Sequence, residues 1–125
     1  MTATKPAKKK ATEIIADVAF MLKDEERWYS DGDMRACNAD GDPVDPCSDH
    51  AVRWSLKGAV ERATTGMEGA WFMCETFVVT SVHRLSAQSS LDRFNFEADH
   101  KDVLWVLRDA YLSARAKEHI NANRP

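Results

Sequence analysis

The sequence lacks a long apolar run, a paired-cysteine motif and any recognisable catalytic or cofactor signature. Without the first, nothing approaches the roughly 20 consecutive apolar residues of a membrane-spanning helix. The basic start MTATKPAKKKA is followed by no apolar segment of the kind found in secretory signals, so a cytoplasmic location is expected. Cysteine is scarce and odd in number: Cys37, Cys47 and Cys74 form neither a CxxC pair nor a Cys/His ligand spacing, and they read as reduced thiols. No metal and no cofactor are expected.

What remains is 125 residues, 44% apolar and 30% charged, enough for one globular domain with a real core. The net charge of -3 is unevenly spread, with Lys5, Lys8, Lys9 and Lys10 at the start and nine carboxylates between residues 24 and 49. A lysine-rich arm beside an acidic body makes at most a weak, salt-sensitive contact with nucleic acid. The expected organisation is a disordered basic tail (1–11), a single globular domain (12–116) and a frayed C-terminal tail (117–125).

Along the domain, Thr12 stands where a helix cap would, and Ile14, Val18, Met21 and Leu22 share one face of a helix expected to end near Trp28. Asp40-Gly41 supplies a tight turn, which predicts a small hairpin of Met34–Asn38 with Asp42–Val44 limited by Pro43 and Pro46. Ser48 or Asp49 then starts a second helix through Ala63, on which Ala51, Ser55 and Gly58 form a strip of small side chains suited to close packing, with Trp54 at the core's edge. The stretch from Met67 to Leu85 has helical spacing at Ala70, Cys74, Phe77, Val78, Ser81, Val82 and Leu85, although it is rich in β-branched residues. Residues 86–98 read as a connecting loop anchored by Phe94 and Phe96. Asp99 caps the last helix, whose stripe of Val103, Leu107, Ala110, Tyr111 and Ala114 leaves Trp105 outside it. The fold class is therefore mainly α: about four helices, with a small β-hairpin between the first two.

The loop and helix around residues 39–60 carry an ordered pattern. Trp28 and Gly32 precede Ala39, Asp40, Gly41, Pro43, Val44 and Pro46; then come Ala51, Val52, Trp54, Ser55, Leu56, Gly58, Ala59 and Val60; Asn95, His100, Asp102, Val103 and Leu104 close it. This combination resembles a family of small uncharacterised proteins from bacteria and their phages, with an A-D-x-G-x-P-V-x-P turn followed by an A-V-x-W-[SC]-L-x-G-A helix. The chain departs from that pattern in having phenylalanine rather than tryptophan beside Asn95, and in its long apolar middle. The resemblance implies no particular chemistry and points to a phage or mobile-element setting.

For catalysis, the available parts are Ser55, Cys74, His50, His83 and His100. Ser55 lies in no nucleophile-elbow pattern, and a small hydrolase or metal-dependent enzyme would have to bring His50 and His100 together. Asp49 and Asp99 suit helix caps better than a metal site, and the acidic turn Asn38, Asp40 and Asp42 has Pro43 where a calcium loop needs glycine. Binding without catalysis is the better-supported class. Trp28, Trp54 and Trp71 with Arg53, Arg62, Arg84 and His100 are the candidate ligand-binding residues, because tryptophan stacks on planar groups and arginine grips anions bidentately. The expected occupant is a small anionic ligand, such as a nucleotide signal of host immunity, or a protein partner that includes a second copy of the chain. A flat apolar patch near Trp105 would favour the protein partner. Asp40, Gly41, Pro43, Pro46, Ser55 and Gly58 are assigned to the structural motif.

Overall fold

The computed structural model describes residues 9–30 and 34–123. Residues 1–8 of the expected tail, Gly32 of the turn segment and residues 124–125 lie outside the described residues. The described residues form five helices and a two-stranded antiparallel sheet: α1 (Ala11–Met21), β1 (Ala36–Cys37), β2 (Arg53–Trp54), α2 (Leu56–Ala63), α3 (Ala70–Leu85), α4 (Leu91–Glu97) and α5 (His100–Ala122). A single 3-10 turn at Glu25–Arg27 follows α1. Among the described residues no helix is long and apolar enough to cross a membrane.

The core is built by the faces that periodicity marks. Ile14, Ile15, Val18 and Leu22 pack with Val103, Leu107, Ala110 and Ala114, while Cys74, Val78 and Val82 of α3 complete the interior. α5 is the spine, lying against both α1 and α3. The β-branched run Val78–Val79 is helical because its spacing buries one face continuously, and packing outweighs local propensity.

Five expectations need correction. The first helix begins at Ala11, inside the supposed tail, and stops at Met21 rather than near Trp28. Thr12 is not its cap; the hydroxyl and amide of Thr12 both donate to the Glu118 carboxylate, tying α1 to α5. The second helix starts at Leu56 rather than near Asp49, so Trp54 belongs to a strand and Ser55 is the cap, its Oγ accepting from the Gly58 amide at 3.0 Å. The connecting segment 86–98 contains a fifth helix, α4, capped by Ser90 through a bond from the Arg93 amide. Finally, α5 continues to Ala122, well into the segment expected to fray.

The hairpin is also rearranged. Asn38 donates its backbone N–H to Asp42 and Val44 donates to Ala36, with one bridge between Cys37 and Pro43, so the turn at Asp40-Gly41 exists. The paired ladder, however, joins Ala36 to Trp54 and Cys37 to Arg53. Proline at position 43 removes a ladder donor, which leaves β1 free to pair on its other edge.

Candidate functional site

Gly58 explains how the sheet meets α2. A Cβ built at this position would lie 1.9 Å from the carbonyl oxygen of Arg35. That same oxygen accepts the Ser55 amide at 3.0 Å, so the backbone before β1 runs directly across the first turn of α2. Close packing does account for the glycine, but its neighbour is an extended segment rather than another helix.

Trp54 and Arg62 come together on the other side. The Trp54 indole N–H donates to the Pro46 carbonyl at 3.0 Å, and the Arg62 guanidinium donates to the carbonyls of Pro46 and Ser48 while its Cζ sits 5.2 Å from the Trp54 ring centroid. The proline-rich loop is thereby clamped onto α2. The guanidinium is committed to backbone oxygens and an aromatic face, and the Pro46 carbonyl is a structural acceptor rather than a ligand group.

Trp28 and His100 form a second pair, with ring centroids 5.7 Å apart. His100 Nε2 donates to the Leu22 carbonyl at 2.6 Å, holding the start of α5 against the end of α1. The Trp28 indole donates to Asn95 Oδ1 at 2.7 Å; the same oxygen accepts the Leu56 amide at 2.9 Å, and Asn95 Nδ2 donates to the Tyr29 carbonyl at 2.8 Å. Tyr29 in turn donates its amide to the Trp54 carbonyl. Asn95, on α4 and buried, therefore binds three segments at once. It satisfies a free amide at the N-terminus of α2, which Ser55 alone leaves incomplete.

The remaining candidates lie apart. Arg84, toward the end of α3, pairs with Asp109 and donates to Ser113 Oγ on α5. Burial pushes the Asp109 carboxyl up, but the hydrogen bond and charge of Arg84 outweigh it and hold the group below the usual range. Trp71 is half-buried against the core. Arg53 and Trp28 line a broad open hollow with Lys23, Asp24, Glu25 and Glu26. The seven candidate residues thus divide into a connected structural neighbourhood around Trp28, Arg53, Trp54, Arg62 and His100, with Trp71 and Arg84 placed elsewhere.

No contact links His50 to His100: the His50 amide is bonded to Ser48 Oγ within its loop, whereas His100 faces the Leu22 carbonyl. Among the described residues no group of three or more His, Cys, Asp or Glu side chains is placed to hold a metal ion. The Cys74 thiol is pushed up to about 12, chiefly by burial with a contribution from Glu75, so it stays protonated and unreactive near neutral pH. All three cysteines are free thiols.

The outer face of α5 was only partly legible. Trp105 is 61% exposed, and Leu112 and Ile120 are 50% and 60% exposed on the same helix. Spacings of seven and eight residues put all three on one side of α5, with Trp105 and Leu112 opposite the stripe that enters the core and Ile120 nearer its edge. Arg108 and Arg115 flank them and are exposed. Beside Trp105, the ends of α3 and α4 leave a cleft of about 330 Å³ with Leu85, Phe94 and Val106 in its wall.

Compared with protein-family models, curated proteins and solved structures, the chain has no match in any of the three.

Proposed function

We propose that the chain is a non-enzymatic binding protein of bacterial or phage origin that acts in the cytoplasm through a protein partner seated on the outer face of α5. The observation that carries this reading is the exposed series Trp105, Leu112 and Ile120 on one continuous helix. Tryptophan and arginine are enriched where partners dock, and isolated apolar residues are common on surfaces, whereas an ordered series along one helix forms a continuous contact strip. The cleft beside Trp105 extends that strip toward α3 and α4. The phage or mobile-element setting follows from the sequence resemblance alone.

The test is native mass spectrometry of the gently purified protein from its host, wild type beside Leu112→Glu. The expected result is a wild-type complex with a defined protein, or a homo-oligomer, that the variant loses while keeping its helical circular dichroism. A wild type that is monomeric and alone, or a complex indifferent to Leu112→Glu, overturns the proposal.

A further inference from the structure

Three hollows on the described surface differ in character. The cleft beside Trp105 carries Glu97 and Asp102, with Glu97 already engaged by Arg93 and Gln88. The hollow at Lys23–Glu26 is wide open and of mixed charge. The third lies where the start of α1 meets α3 and the last turns of α5; it encloses about 330 Å³ and is unlike the others in pairing an apolar floor with a basic rim.

Its floor is formed by Met73 and Phe77 of α3 together with Ala114 of α5. Ala114 is fully buried and closes the base of the hollow. Lys9, Lys10 and Lys117 stand around it. Lys9 shares its charge with Asp17 at 2.8 Å. Lys117 Nζ lies 5.8 Å from the Phe77 ring centroid, poised over the floor, and no ion pair among the described residues engages Lys117 or Lys10. The one carboxylate in the wall, Glu118, accepts both the amide and the hydroxyl of Thr12 and is committed to joining α1 and α5. An apolar floor takes a hydrocarbon or aromatic body, and a rim with two ammonium groups outside any ion pair takes a negative end. A neutral occupant leaves those charges unused, and a cationic one meets repulsion.

From this combination we infer that the hollow between α1, α3 and α5 is a binding site for a small soluble amphiphilic anion, such as an aliphatic carboxylate. The carboxylate lies between Lys10 and Lys117, and the hydrocarbon arm rests on Phe77 and Met73. This site shares none of the arginines and tryptophans first singled out for anion binding. It also stands independently of the partner surface, so either proposal can fail without the other.

The test uses octanoate, 1-octanol and octylammonium as matched probes, titrated into the full chain carrying 13C-methyl methionine. The expected result is a saturable shift of the Met73 methyl with octanoate, weaker binding of 1-octanol and no binding of octylammonium. The double variant Lys10→Glu/Lys117→Glu is expected to lose about tenfold in octanoate affinity, in line with two exposed charge contacts, while its other methionine methyls stay in place. Equal affinity for octanoate and 1-octanol, wild-type affinity in the double variant, or no saturable Met73 shift would each overturn the inference.

Discussion

Two regions of this molecule use their residues in opposite ways. Around Asn95 polar groups are buried or half-buried, and the donors are spent on backbone carbonyls or on the Asn95 side-chain oxygen. On the outer face of α5, large apolar side chains are left in water. The first arrangement costs stability if any member is removed, because a buried polar group without its partner retains its desolvation penalty. The second costs little to remove, since those side chains keep half or more of their surface in water. Tryptophan by itself is therefore a poor guide to function here: Trp28 and Trp54 are fasteners, and only Trp105 is presented outward.

Mutations can break that contrast. Asn95→Ala strips a bond from the Trp28 indole, the Leu56 amide and the Tyr29 carbonyl together, and denaturant unfolding should show a loss of about 3–5 kcal/mol. A loss under about 1 kcal/mol would mean that water replaces the side chain and that the region is no fastener. Gly58→Ala comes next: its methyl has no room beside the Arg35 oxygen, and about 2–3 kcal/mol should be lost unless the extended segment moves aside.

A smaller effect, of opposite sign, is expected at Glu75. Burial first, opposed by Lys57 and reinforced by Asp92 and Glu61, raises its carboxyl above the ordinary value, and one carboxylate oxygen is buried with no hydrogen-bond partner. A raised folded pKa means that the folded state holds the proton more tightly than the unfolded chain. This group's contribution to stability therefore grows as pH falls through the raised value toward the ordinary one, and its ionised form is a burden at neutral pH. Glu75→Gln should stabilise the protein at pH 7 by about 0.5–1 kcal/mol and flatten that part of the pH profile, read by thermal melts between pH 4 and 7. Leu112→Ser anchors the other side of the comparison: melting should move by no more than the equivalent of about 0.5 kcal/mol, and a larger loss would show that the face is part of the fold.

How much of this was readable from the sequence differs by element. α1, α3 and α5 are long enough for their apolar spacing to mark a face, and Val103, Leu107, Ala110 and Ala114 are buried as that spacing requires. α4 is seven residues, fewer than the stretch over which periodicity becomes distinctive, and its cap Ser90 sits in a serine-rich segment that also reads as loop. The start of α2 was misplaced because Val52 continues the i, i+4 pattern of Leu56 by coincidence, yet it lies on an exposed stretch before β2. Ser55 followed three residues later by Gly58 was the better signal, a cap serine just before a helix. The pairing of Trp54 with Arg62 lay within reach of local reasoning, whereas Asn95 meeting Trp28 did not, because no periodicity links residues so far apart. Trp105 could be seen to leave the core stripe, and the basic-rimmed hollow could not, since its wall comes from three helices.

The separations closed by Asn95 carry a consequence in time as well as in energy. Its side-chain bonds reach across 67, 66 and 39 positions of sequence. These bonds need α4, the start of α2 and the Trp28–Tyr29 segment all in place at once, so they are expected to form only after α1, α3 and α5 have packed. Asn95→Ala should then act on the rate at which the native state opens, raising the unfolding limb of a chevron while leaving the folding limb almost unmoved. The asparagine works as a late bolt on a door that closes without it.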